Sequence, residues 1–422
     1  MGFFCCTWRG ADLRTQFARK QRLVLIGNGM AGMRMIDEIL ARGRERFDIE
    51  VVGAEPHPNY NRILLSSVLA GEKDIDEIAL HSREWYASNN IKLTTGKAVV
   101  KLDANAKTVT TASGDAISYD KLVLATGSRP IVPPIAGLEL PGICAFRNIA
   151  DLELMRNASR NGGHAIVVGG GLLGLEAAFG LMKRGMAVTV LHLMQTLMER
   201  QLDEAAGLLL QRDLERSGVT VLTKAHAEAA VGDARVEAVQ LADGRELPAD
   251  LVVFAVGVRP NIDLARTGKL DVNRGIIVDD FMATSEPDIF AVGECIEHRG
   301  QTFGLVGPLW EQARICAAVL SGDTPQPYVA SAPHTSLKVT GIDVFSAGAL
   351  EARDDGDDEI TLRDAGSNQY KKLVVRDGRL VGAILYGEIA DGPWFVELIE
   401  SKRDITPLRD GLIFGRALAM VA

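Results

Sequence analysis

The chain has 422 residues, 47% hydrophobic and 24% charged, which is too apolar for a disordered polymer and long enough for two or three cores at roughly 150 residues each. Its 46 Lys and Arg against 55 Asp and Glu give a net charge of −9 with no long basic run along the body, which argues against a nucleic-acid partner. The five cysteines have neither CxxC nor zinc-ligand spacing, and no apolar stretch reaches the ~20 residues of a membrane span, so a cytoplasmic protein with no membrane association and no metal is expected.

Residues 1–20 read as a flexible basic arm carrying Arg9, Arg14, Arg19 and Lys20. A buried-type strand follows, Leu23–Ile26, and runs into Gly27-Asn28-Gly29-Met30-Ala31-Gly32, a glycine turn that opens a helical period. Backbone amides at such a turn, reinforced by the helix N-terminus, hold a pyrophosphate. A second strand, Ile49–Ala54, leads to Glu55, placed 23 positions after Gly32, where a ribose-gripping acid is expected. Lys92–Val100, Thr108–Thr111 and Leu122–Ala125 add short strands.

The pattern then repeats. Ala165–Val168 runs into Gly169-Gly170-Gly171-Leu172-Leu173-Gly174, and Ala187–Leu191 forms the next strand, which ends at His192 instead of an acid. A neutral imidazole there can share a hydrogen bond with ribose hydroxyls and offers a 2′-phosphate no fixed charge, so NADH is expected over NADPH, with Arg200 near enough to reverse the choice. Val219–Leu222, Val236–Leu241 and Leu251–Ala255 follow, with Asp243-Gly244 as a hairpin turn. Ile276–Asp279 and Ile289–Val292 are short strands, and a helix over Trp310–Leu320 stops before a boundary near Pro327. The remainder alternates strands (Ser336–Thr340, Tyr370–Arg376, Arg379–Tyr386) around a solvated acidic turn, Asp354–Glu359, and closes on a helix at Trp394–Lys402.

With both turns in view, Tyr119–Ser128 (YDKLVLATGS), the VGVRPN run containing Gly257, and Ile289–Glu294 (IFAVGE) resemble the pyridine-nucleotide-disulfide oxidoreductase superfamily. The resemblance implies an FAD domain interrupted by an NAD domain, Thr126 and Gly127 lining the FAD pocket, Glu294 bonding the ribityl chain, and Arg62 approaching the flavin. Gly293 independently permits close backbone approach, and a carboxylate beside it can accept from sugar hydroxyls. Where oxidase relatives carry a cysteine and ferredoxin reductases a lysine after Leu-Ser, this chain has Ser67, so no cysteine is expected to take part in turnover. Trp310 is either a flavin-side ring or core, and Glu176 either positions nicotinamide or complements the helix dipole.

The segments NYNRILLSSVLAGE, HLMQTLMERQLD, SLKVTGIDVFSAG and LIESKRDITPLRDGLIFG are similar to the flavin module of NADH-dependent nitrite reductase large subunits and of assimilatory nitrate reductase flavoprotein subunits. The cysteine-rich iron–sulfur and siroheme regions that follow this module in the large subunits have no counterpart up to Ala422. The expected fold is α/β: two Rossmann-like domains, FAD-binding over 21–140 and 260–327 and NAD(P)H-binding over 141–259, plus a small α+β interface domain over 328–422. The expected chemistry is hydride transfer from NADH to FAD and onward delivery to a separate iron–sulfur, molybdenum or siroheme subunit. A rubredoxin or ferredoxin reductase and an NAD(P)H oxidase are the alternatives.

Overall fold

The computed structural model describes residues 19–43, 46–330, 334–339, 341–353 and 356–420, of which 334 and 336–339 by backbone alone. Nearly all of the expected basic arm, with Cys5 and Cys6, lies outside the described residues. Strand Gln21–Ile26 is apolar at consecutive positions because both faces of its sheet are covered, and Leu23, Val24 and Leu25 are fully buried. Phe47–Val52 and then Ile91–Thr94 extend the sheet on one side, Lys121–Leu124 and Ile289–Ala291 on the other, all parallel. The outermost of these strands comes from far along the chain, after the second unit, so the first sheet closes only when the chain returns.

The inserted unit repeats this plan. His164–Val168 sits at the centre, flanked by Ala187–His192 and Thr220–Thr223 on one side and by Leu251–Phe254 and Ile143–Ala145 on the other. Each unit also carries a three-stranded antiparallel meander: Val99–Asp103, Thr108–Thr111, Ala116–Ser118 in the first, and Ala227–Val231, Ala238–Leu241, Glu246–Pro248 in the second. The chain crosses between units on a two-stranded ribbon, Ser128–Pro130 against Val258–Pro260. The crossing is pinned where Asn261 Nδ2 donates to the Thr126 carbonyl (2.8 Å) and Thr126 Oγ1 donates to the Asn261 carbonyl (2.9 Å).

Several expectations need correction. Lys92–Val100 is two strands in different sheets, Ile91–Thr94 and Val99–Asp103, parted at Gly96, whose φ of 73° turns the chain. Ala227–Val231 was hidden by its small side chains. The helix expected from Trp310 begins at Val306, because Pro308 falls in its first turn, where a missing N–H costs nothing. Residues 135–140 pack with the inserted unit, not the first: Ile135, Leu138 and Leu140 lie on its meander core, and the Ala230 amide donates to the Ala136 carbonyl (2.9 Å). Tyr328, placed by sequence in the tail, is buried in the first unit's core.

The tail is an antiparallel sheet in the order His334–Val339, Ile342–Gly348, Arg379–Tyr386, Gln369–Arg376, Asp357–Asp364. Alternation along its strands sends side chains to two faces. Phe345, Ala383 and Leu385 pack with Trp394, Phe395 and Leu398 of helix Gly392–Ser401, while Val344, Ile384 and Tyr386 join the core of the inserted unit. Two aspartates of the inserted unit secure that contact: Tyr370 Oη donates to Asp203 (2.6 Å) and Tyr386 Oη to Asp213 (2.7 Å). The acidic run is not simply a solvated turn, since Asp357 and Glu359 lie in a strand and pair with Arg376 and Lys372, while residues 354–355 are outside the described residues.

Candidate functional site

A cleft of about 1040 Å³ runs along the junction of the two units and is lined by both glycine turns. Gly27 has a φ of +107°, and a Cβ there would stand 2.1 Å from the Ala125 carbonyl oxygen, so only glycine lets the turn lie against the neighbouring strand. Gly29 and Gly171 are different: nothing lies within 4 Å of a Cβ built on either, so each leaves open space over a helix start. Gly171 precedes helix Leu172–Lys183 without a side-chain cap, which leaves the first amides free for an anion. Gly32 and Gly174, expected to bind cofactor, do not line the cleft; they let their helices approach the strand ends, and a Cβ on Gly174 would meet the Gly169 carbonyl at 2.0 Å.

Met30, Ala31, Thr126, Gly127, Gly169, Leu172, Leu173, Gly257 and Gly293 all line the cleft. Asn28 does so too, but its side chain turns away, accepting from Tyr86 Oη (2.7 Å) and donating to the His57 carbonyl (3.3 Å), so that only its backbone is offered to a ligand. Glu55 lies beyond the strand it was expected to end, which stops at Val52. Its carboxylate accepts from Arg62 (2.6 Å) and Tyr60 Oη (2.8 Å). Arg62 also donates to the Arg147 carbonyl (2.5 Å), tying the first unit to the inserted one across the cleft.

Glu294 accepts from Ser128 Oγ (2.7 Å) and forms an ion pair with Arg147. Sequence reading missed both Ser128 and Arg147. A local signal existed for the second, since Asn148 and Asp151 form a capping box that fixes the helix start directly after Arg147. Trp310 is half-buried at the cleft, with the Arg34 guanidinium 5.9 Å from its ring centroid, so it is not simply core.

Glu176 falls in the second turn of its helix, not the first, which weakens the dipole alternative. It faces the cleft opposite Ser66, another residue missed by sequence reading, which held Ser67 in view instead. Burial pushes its carboxyl up to about 7, opposed by the hydrogen bond from Ser66. His192 lines the cleft but is buried with both ring nitrogens engaged, so it cannot grip a ribose as expected. Cys295 and Cys316 are fully buried, and burial raises both thiols; the Cys295 thiol donates to the Leu124 and Val292 carbonyls.

Among the described residues there is no group of three metal-ligating side chains and no helix long and apolar enough to cross a membrane. The donor chemistry fits FAD in the first unit: open glycine amides for a pyrophosphate, and an acid and a hydroxyl at Glu294 and Ser128 for a polyol. The second unit offers the same cradle to a nicotinamide dinucleotide.

Comparison with known proteins agrees with this geometry. Residues 21–315 match the family model for pyridine nucleotide-disulphide oxidoreductases, and residues 333–403 match that for the rubredoxin NAD+ reductase C-terminal domain. The chain is 49% identical over 387 residues to a nitrite reductase [NAD(P)H] of Bacillus subtilis, covering 92% of this chain and 48% of that one. It is 45% identical over 395 residues to the assimilatory nitrate reductase electron transfer subunit of the same organism, covering 94% and 51%. It thus spans about half the length of these relatives. The crystal structure of a covalent putidaredoxin reductase–putidaredoxin complex superposes with a TM-score of 0.83 at 27% identity, covering 94% of this chain and 96% of that one. With most of its length in the first match and both cradles in place, the chain belongs to the pyridine nucleotide-disulphide oxidoreductase family.

Proposed function

We propose that the chain takes hydride from NADH and delivers the electrons to a separate redox centre of nitrate or nitrite assimilation. The observation that carries this is the single cleft shared by both glycine turns, with Glu176 and Ser66 lining it. FAD, when bound, would supply an acceptor for one hydride, with its two electrons, and a donor of single electrons. Gly29, Met30 and Ala31 would hold its pyrophosphate, Thr126, Gly127, Ser128 and Glu294 its sugar hydroxyls, and Arg62, braced by Glu55, would approach the flavin.

On the substrate side, Gly171, Leu172 and Leu173 seat the dinucleotide, and Leu172, Leu173 and Trp310 form apolar walls that exclude water from the approach of the nicotinamide. A dihydronicotinamide ring becomes positively charged as it loses hydride, and an ionised Glu176 in the same cleft stabilises that charge. Ser66, whose hydroxyl donates to the Ile63 carbonyl (3.2 Å), lines the same cleft and adds no charge of its own.

The relatives named for nitrite reductase and for electron transfer to nitrate reductase support the acceptor class, and the tail's match to a rubredoxin reductase domain supports rubredoxin as the second reading. NADH-driven nitrate or nitrite reduction, measured with and without the candidate reductase, tests the choice. Turnover only in its presence is expected; rapid rubredoxin or ferredoxin reduction with no reductase turnover favours the second reading. We place the enzyme in the cytoplasm, where Cys144, Cys295 and Cys316, all free thiols, stay reduced. Replacing all five cysteines by Ala or Ser should leave hydride transfer within severalfold, because the three described thiols, Cys144, Cys295 and Cys316, are raised by burial and are poor nucleophiles, and no pair of the five has redox spacing. Rapid-mixing absorbance checks this, and a collapse traced to Cys295 contradicts it.

A further inference from the structure

The second glycine turn lacks an acid at the end of the strand that follows it, yet the structure supplies a carboxylate at that place from elsewhere. His192, 7% exposed, accepts from the Gly170 amide at Nδ1 (3.1 Å). Because Nδ1 accepts, Nε2 carries the proton, and it donates to Glu199 Oε2 at 3.0 Å. The loop bearing Glu199 folds back over the turn: the Met198 amide donates to the Gly170 carbonyl (3.0 Å), and a Cβ on Gly170 would stand 2.5 Å from Leu197 Cδ2 and 2.7 Å from His192 Cγ. Gly170 is therefore the seat on which this loop rests. Glu199 lines the same cleft as Gly169, Gly171 and Leu172, and among the described residues its second oxygen takes no hydrogen bond.

We infer that Glu199, positioned by His192, is the carboxylate that grips the adenosine ribose of the nicotinamide dinucleotide and makes NADH the preferred donor. This rests on the reading of the second cradle as the NAD(P)H site. A fixed carboxylate accepts from two vicinal hydroxyls and repels a 2′-phosphate in the same place. Arg200 is the competing group: it lines the cleft, is exposed, and among the described residues forms no ion pair. The difference is preorganisation. Glu199 is held by a buried ring that is itself held by the glycine turn, whereas Arg200 would have to order a long side chain. His192 is thus a positioning residue and not a ligand.

The test is binding to the FAD-loaded, oxidised enzyme by calorimetry, with ADP-ribose and 2′-phospho-ADP-ribose as probes, so that neither hydride transfer nor acceptor enters. The wild type should prefer ADP-ribose by about tenfold or more; E199Q should weaken ADP-ribose by about tenfold and erase the preference, the scale of one charge-assisted hydrogen bond. R200A should leave ADP-ribose unchanged. His192→Gln should weaken ADP-ribose in the wild-type background and have no further effect in E199Q, whereas a merely structural role would add in both. E199A, read alongside the flavin spectrum and melting temperature, guards against a folding defect in E199Q. Unchanged affinity and preference in folded E199Q and E199A overturn the inference; failure of the wild type to bind either probe overturns instead the reading of the cradle.

Discussion

Gly27→Ala should give a protein that no longer retains FAD, whereas Gly174→Ala should stay yellow and lose its response to NADH. The two substitutions add the same methyl to equivalent turns, so their difference isolates the two cradles. At Gly27 the added Cβ meets the Ala125 carbonyl at 2.1 Å and the backbone φ of +107° is strained for any L side chain. At Gly174 the Cβ meets the Gly169 carbonyl at 2.0 Å, which forces the helix away from the strand end and opens the amide cradle. Backbone overlaps of this kind cost roughly 1–3 kcal/mol or more, about ten- to a hundredfold in affinity for the dinucleotide concerned. Bound flavin after gel filtration reads the first, and NADH-dependent bleaching of the flavin reads the second. If both variants lost the same cofactor, the division of labour between the units would be wrong.

Glu176→Gln is the other large effect. With its carboxyl raised by burial from an ordinary 4.5 to about 7, Glu176 changes charge across the neutral range. Hydride transfer from NADH should quicken as pH rises through about 7, and E176Q should be slow and flat across that range, by the ten- to hundredfold scale of a placed charge. Stability should run the opposite way. A carboxyl that holds its proton more tightly when folded destabilises the native state as pH climbs from about 4.5 to about 7, by at most ~1.4 kcal/mol per unit, and the loss is complete above that window. E176Q escapes this loss, so its melting temperature relative to wild type should rise between pH 5 and pH 8. A variant that melts in parallel with wild type over that range, or keeps the wild-type pH dependence of flavin reduction, contradicts the role assigned to Glu176.

What was legible in the sequence was what local backbone chemistry dictates. The two glycine turns stand out because φ near +107° at Gly27 and +126° at Gly169 admits little but glycine, and because the last four residues of the strand before each are apolar without alternation, as in a parallel sheet covered on both faces. Glu294 came from the resemblance of IFAVGE to the family, and the buried strand ahead of it agrees with that placing.

What was not legible depends on contacts between distant elements. His192 looked like a ribose ligand because nothing local shows that Met198, at a φ of +54°, turns the loop back to bring Glu199 onto the ring. Arg147 meets Glu294 only once the inserted unit has folded against the first. The docking of the tail through Tyr370 to Asp203 and Tyr386 to Asp213 joins residues more than 160 positions apart, and no periodicity records it. Ser66, rather than Ser67, faces Glu176 because the short helix Leu65–Leu69 presents that side to the cleft.

The central claim is that one chain accepts hydride from NADH and gives electrons to a separate redox centre. It is tested most directly by mixing the FAD-loaded protein with one equivalent of NADH in the absence of oxygen, then adding, in a second mix, either the candidate nitrate or nitrite reductase or air. Fast, complete bleaching of the flavin, followed by rapid recovery of colour with the reductase and only slow recovery with air, is the predicted result. Flavin that NADH does not bleach, or that recovers as fast with air alone as with the reductase, contradicts it.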